Sequence, residues 1–443
     1  GDHSPKAAGA WLDGAGGARS DTLAPAGQAQ AAGAGGLPFV YTPELIHPPH
    51  GNHVQALDAE TGEVTFWEVS GTRQRQLKGH REGRAKRYAL RWIARRLLPK
   101  GHKTRKCGAW RLPNMDIQVL KSPALQRAYF HGLQVCASPW ACPVCAAKIS
   151  ERRTAEVQEA IDRAKVLGLS VYLVTLTIPH GLGDDIADLL HRMHAAWAKL
   201  NQGKGGEKFR ARIGLRGHIR ALEVTYGELH GWHPHFHILQ FHQVKGSEAD
   251  RKDWTARLYL RWVAYCQKAG LGTPSYAHGI RLDNGEKAAQ YVTKGMWGLE
   301  DEMTKGHTKK GKDGGESPFD LLRAVLADPK DRQAAALFSE FAQVFKGKRQ
   351  LSWSRGLRAM FNLVEKTDEE LAEERSEEAQ LLGMISVEQW RDVLKVNARA
   401  MVLEIAASRG WHAVSKFLWF IDGAASGVEI DAAMLAEARE IFL

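Results

Sequence analysis

The sequence predicts an α+β fold built on an antiparallel sheet flanked by helices, and three observations carry that expectation. Runs rich in β-branched residues alternate with stretches of helical period. Two of the runs, Ile219 to Tyr226 and His235 to Phe241, are separated only by a turn at Gly227 to Gly231, as antiparallel neighbours are. The chain, at 443 residues and 44% hydrophobic, has ample material for core in more than one domain. Its longest strongly apolar run, Val171 to Ile178, is far short of the ~20 residues of a membrane helix, so no membrane partner is expected. A net charge of +11 fits a polyanionic partner.

Residues 1–70 read as a disordered tail and linker, because twenty of the first 36 residues are Gly or Ala with no hydrophobic period. No charged segment followed by an apolar core opens the chain, and five cysteines are too few for a disulfide scaffold, so a cytoplasmic, reducing location is expected. The sequence begins at Gly1 rather than Met, which leaves room for a start further upstream. Residues 71–100 read as a basic helical arm. Between Arg73 and Arg111 there are fifteen Lys or Arg and one acid, over an apolar stripe of Ala89, Leu90, Ile93, Leu97 and Leu98. Arg84, Arg87, Arg91, Arg95 and Arg96 are the candidate DNA contacts; a solvated surface helix fits the same pattern.

Residues 101–150 form a cysteine-rich segment and 151–300 the sheet domain. The strand at Val171 to Ile178 stops at Pro179, Gly181 and Gly183. Asp184 then caps a helix whose face is Ile186, Leu189, Leu190, Met193, Trp197 and Leu200. After the paired strands, Trp254, Leu258, Trp262, Tyr265 and Cys266 make a second helical stripe closed by Gly270. A short strand at Gly279 to Leu282 and a helix from about Glu286 to Trp297 complete the domain. Residues 301–317 are a Lys/Gly-rich flexible loop. Residues 318–365 are helical and basic, with Lys348, Arg349 and Arg355 as further DNA contacts. Residues 366–443 are an acidic helical region, with seven acids among the eleven residues from Asp368 to Glu378. Its helical periods break at Gly410, Gly423 and Gly427, and they suit a partner-binding helical domain or a helix-turn-helix alike.

Three constellations carry chemistry. In a strand, alternate side chains share a face, so His235 and His237 project together while Phe236 and Ile238 enter the core. Glu223, set between Leu222 and Val224 on the preceding strand, needs a cation or donor and is the candidate third ligand of a Mg²⁺ or Mn²⁺ ion with open positions. Tyr291 and Lys294, three residues apart, share a helix face, and a phenolate there needs a cation to form. Cys142-Pro-Val-Cys145 has the spacing of a zinc knuckle, which Cys107 and Cys136 would complete, with His102 or His131 as possible substitutes. Cys266 reads as core.

In this order the elements resemble the HUH endonucleases, and more closely the rolling-circle replication initiators (Rep proteins) of small plasmids. Leu173-Val-Thr-Leu-Thr-Ile178 looks like the family's first motif, Gly217 to Leu239 like the second, and Ala288-Ala-Gln-Tyr291-Val-Thr-Lys294 like the third. The likeness takes in Gly132 to Ile149, Pro318 to Leu322 and Gly347 to Leu357, and so covers roughly residues 100–375. It implies an HUH nuclease domain at 151–300 that nicks and rejoins DNA through a 5′-phosphotyrosine at Tyr291. The implied partners are a plasmid double-strand origin with its single-stranded nick site, and a host helicase and polymerase. Some relatives carry a glutamate four residues before the tyrosine; here that residue is Lys287, and Glu286 is the nearest acid. An HUH transposase or relaxase would share the chemistry. A non-catalytic zinc-containing DNA-binding regulator is the reading from another class.

Overall fold

Alternation along the strands decides what each face of the central sheet buries. The computed structural model describes residues 53–57, 64–68, 73–123, 126–283, 316–373, 378–425, 434, 437–438 and 441–442. The chain begins with β1 (His53–Leu57), β2 (Val64–Glu68), α1 (Arg73–Leu97), β3 (Ile117–Ser122), β4 (Arg127–His131) and α2 (Pro143–Val166). Next come β5 (Ser170–Thr177), α3 (Ile186–Leu200), α4 (Gly203–Arg212), β6 (Leu215–Gly227), β7 (Gly231–His242), α5 (Glu248–Lys268), α6 (Tyr276–Gly279) and β8 (Ile280–Asp283). The remainder is α7 (Pro318–Ala327), α8 (Arg332–Val344), β9 (Leu351–Trp353), α9 (Leu357–Met360), α10 (Asp368–Glu373), β10 (Gln380–Ile385), α11 (Val387–Lys395) and α12 (Arg399–Ala425). The hairpin β1–β2 falls inside the span expected as a tail. No described helix is long and apolar enough to cross a membrane.

The five-stranded sheet runs β8-β5-β7-β6-β9 with antiparallel neighbours throughout. One face carries Val174, Leu176, Leu222, Val224, Phe236 and Ile238 into a core shared with Leu190 and Met193 of α3, Trp262 of α5 and Phe338 and Phe341 of α8. Each such fully buried side chain is worth about 1.5–3 kcal/mol. The opposite face has a core of its own: Val157, Ala160, Ile161 and Ala164 of α2 cover Val171, Leu173, Ile219, Leu239 and Phe241. The histidine face is therefore not simply the side away from the core. α2 seals one end of it, and the polar residues occupy the other.

Local chemistry explains the helix boundaries. Asp185, not Asp184, caps α3, accepting from the Asp188 amide, while the Asp184 carboxylate accepts from Gly181 N–H. Ser247 and Asp250 form a reciprocal capping box on α5. In the acidic carboxyl-terminal stretch, β10 is a strand where helix was expected, pairing with β3 in a second sheet of order β10-β3-β4. That sheet, α11, α12 and the four cysteines share one core, which includes Ile117, Val119, Trp390, Val402 and Phe417. α12 breaks at Gly410, as its sequence period does.

Candidate functional site

The β6–β7 register assembles the first site. It sets Glu223 directly opposite His235 and Ala221 opposite His237, so the carboxylate and both imidazoles leave the sheet on one face. His237 Nε2 lies 2.9 Å and His235 Nε2 3.3 Å from the same Glu223 oxygen, and the two nitrogens are 3.1 Å apart. All three side chains are nearly buried, between 8% and 12% exposed. β5 orients one ring: Thr175 pairs with His237 and its hydroxyl lies 3.1 Å from Nδ1, which leaves Nε2 facing Glu223.

A metal ion can be tested against these separations. Bonds of about 2.1 Å at right angles put neighbouring ligand atoms about 3.0 Å apart, whereas a tetrahedral site with similar bonds needs about 3.4 Å. Separations of 2.9, 3.1 and 3.3 Å suit three adjacent corners of an octahedron and leave its other corners open. The donor set, one carboxylate oxygen and two imidazoles, could hold a metal ion.

Further residues at the site escaped sequence reasoning. His233, on the same face, lies with its ring 5.0 Å from that of His235 and hydrogen-bonds to His180. Burial, then the neighbouring His235, holds its pKa down at about 3. The loop carrying His180 can approach because residue 231 is glycine: its φ is +71°, and a Cβ there would stand 2.8 Å from the Gly181 carbonyl oxygen. Arg281 pairs with Thr175 and so stands in the same cross-strand row as His237, with most of its side chain in solvent. No local signal places it, because its row depends on how β8 registers against β5. Tyr291, Lys294, Glu286 and Lys287 lie outside the described residues.

The second site is closed. Cys107, Cys136, Cys142 and Cys145 are all buried and all free thiols. Cys107 Sγ is 3.5 Å from Cys145 and 3.8 Å from Cys142, and Cys136 Sγ is 3.7 Å from Cys145. Four sulfurs about 2.3 Å from one ion at tetrahedral angles would be about 3.8 Å apart. Pro143 opens α2 immediately after Cys142, which is its N-cap residue. The Thr104 hydroxyl donates to Cys136 Sγ at 3.5 Å. Neither candidate histidine joins the set: His102 accepts from the Thr104 amide, and His131 sits in β4 opposite Gln118. Cys266 is packed in α5, where burial pushes its pKa up to about 12.

The basic candidates divide by burial. Arg84 and Arg91 are turned inward, at 7% and 3% exposure. Arg87, Arg95 and Lys348 are half-buried; Arg96, Arg349 and Arg355 are exposed. Lys348, Arg349 and Arg355, with Lys103, Trp140 and Trp353, line a cavity of about 720 Å³ along the β9 edge of the sheet.

Fold and site together define a mixed α+β protein with two candidate metal centres, one open and one closed. Residues 127–269, which include both strands of the open site, match the family described as Replication protein. It is 30% identical over 294 residues to "Protein rep" of Streptomyces lividans, covering 52% of this chain and 64% of that protein. It is 33% identical over 147 residues to "Neomycin resistance protein" of Streptomyces cyanogenus, covering 27% of this chain and 34% of that one. The chain thus spans less than two thirds of either relative. No solved structure matches.

Proposed function

We propose that this protein initiates plasmid rolling-circle replication by nicking and rejoining one DNA strand at the origin, as an HUH endonuclease. The observation that carries the reading is the convergence of Glu223, His235 and His237 on one face of β6–β7, inside the replication-protein region. A divalent ion bound by these three would polarise the scissile phosphate and offset its developing charge. Tyr291 attacks phosphorus through its phenolic oxygen, its proton passing to solvent while the Lys294 ammonium stabilises the phenolate, and the leaving O3′ takes a proton from solvent. The P–O3′ bond breaks, leaving a 3′-hydroxyl and a 5′-phosphotyrosine. One phosphodiester replaces another, so the step runs in both directions and the same groups can rejoin the strand.

Arg281 stands where it can meet a phosphate oxygen, and Thr175 keeps His237 in its ligating orientation. Lys287 stands where some relatives carry a glutamate, and Glu286, five residues before Tyr291 and about 140° around an ideal helix from it, is the nearest acid. Arg87, Arg95, Arg96, Lys348, Arg349 and Arg355 contact backbone phosphates. A zinc ion on the four cysteines supplies folding free energy rather than chemistry. The test is incubation of the full chain with labelled single-stranded origin DNA and Mn²⁺, followed by denaturing electrophoresis. The wild type should carry label; Tyr291→Phe and His237→Ala should carry none while still binding DNA. Normal labelling of Tyr291→Phe would refute the nucleophile.

A further inference from the structure

We propose that Arg91 and Arg399 are the built-in counter-charge of a four-thiolate zinc centre, so that metal loading and the seating of α12 against α1 depend on each other. This rests on the structural-zinc reading above.

Arg399 has no exposed surface and Arg91 has 3%. A buried guanidinium is ordinarily matched by a carboxylate, because taking an unpaired charge out of water costs several kcal/mol. Among the described residues neither arginine has a carboxylate within ion-pair distance. Arg399 donates instead to two neutral oxygens, the Gly108 carbonyl at 2.9 Å and the Asn397 side chain at 3.0 Å. Both guanidinia lie over the ring of Tyr88, at 4.3 Å for Arg91 and 5.5 Å for Arg399.

The two arginines meet at Gly108, the residue after Cys107. Arg399 bonds to its carbonyl, and the Arg91 guanidinium fills the space a Cβ there would need. Gly108 has φ of +54°, a second reason for glycine. The potential anions at this point are the sulfurs, and Arg91 interacts electrostatically with Cys107, Cys142 and Cys145. Four thiolates around a dication leave two negative charges in the core, and two guanidinia cancel them. With four neutral thiols and no metal, both cations would be buried without compensation. One cation comes from α1 and the other from the first residue of α12, so closing the charge balance requires both elements in place. Trp390 of α11 adds a neutral tether to the same loop, donating to the Ala109 carbonyl at 2.7 Å.

The experiment uses the full chain purified without chelator. Zinc is quantified by elemental analysis, and affinity is measured by competition with a chromophoric chelator. The wild type should hold one zinc, with Arg91→Gln and Arg399→Gln each losing roughly ten- to a hundredfold in affinity, as removal of one buried charge beside a net dianion predicts. Arg399→Lys, which keeps the charge, should retain most of it. Cobalt substituted for zinc should show the same thiolate charge-transfer band in all soluble variants, which separates charge from lost geometry. Gln variants within twofold of a zinc-loaded wild type would overturn the counter-charge. A wild type without zinc would overturn the zinc reading and this inference with it. If Arg399→Gln is insoluble, hydrogen exchange on the wild type decides. Stripping zinc should expose amides of residues 399–425 while those of β7 stay protected, and unchanged protection of 399–425 would refute the coupling.

Discussion

His237 owes its orientation to a threonine on the next strand, and that dependence is measurable. Thr175→Val keeps the shape and removes the hydroxyl beside Nδ1, so the ring loses the partner that holds Nε2 toward Glu223. We expect Mn²⁺ affinity, read by titration calorimetry, to fall about tenfold, the low end for loss of a ligand-orienting hydrogen bond. Unchanged affinity would mean that the strand backbone alone sets the ring. The His-hydrophobe-His pattern was legible because alternation is local, and Glu223 because it and His235 each lie four residues from the paired hairpin glycines Gly227 and Gly231. Thr175 and Arg281 were not. Their place depends on how β5 registers against β7 and β8 against β5, and no short-range signal in the chain sets that.

At the scale of elements, α3 and β6 hold two half-buried histidines whose pKa values are depressed. His194 packs edge-on to Phe236, and His218 to Trp197. Burial first, then the Arg220 guanidinium, holds each at a pKa of about 4. Unfolded, both would titrate near 6.5, so the unfolded chain binds more protons in between. Stability should therefore be complete above about pH 6.5, fall as the pH drops, and level off for these groups below about 4. Thermal unfolding from pH 7.5 to 4 checks this, with His218→Gln flattening the decline; an identical pH profile in that variant would contradict it. The apolar stripe of α1 was legible from its spacing: Leu90 and Leu98 enter the core shared with α8, and Ile93 and Leu97 pack against it. The burial of Arg84 and Arg91 was not legible, because charge density alone does not say which face a second core will cover. Tyr88 and Arg91 turn toward the cysteine core, leaving Arg96 outward.

Across the described molecule, the cysteine segment and the carboxyl-terminal elements form one core even though they stand at opposite ends of the chain. Composition separated them, basic and cysteine-rich against acidic and helical, whereas β10 pairs with β3 and Trp390 packs edge-on against Phe130. Such pairing across most of the sequence leaves no trace in local periodicity, which is why β10 read as helix. The half that carries the open site was far more legible, since its defining strands are consecutive and joined by one short turn. Its central claim, covalent DNA transfer to a single tyrosine beside the open metal site, is best tested by locating the adduct. Single-stranded origin DNA cleaved in Mn²⁺ should be trapped on the protein, digested with trypsin and sequenced by mass spectrometry. The account predicts a phosphonucleotide on the peptide 288–294, between Lys287 and Lys294, at Tyr291. An adduct on any other peptide, or cleavage with no adduct at all, would contradict it.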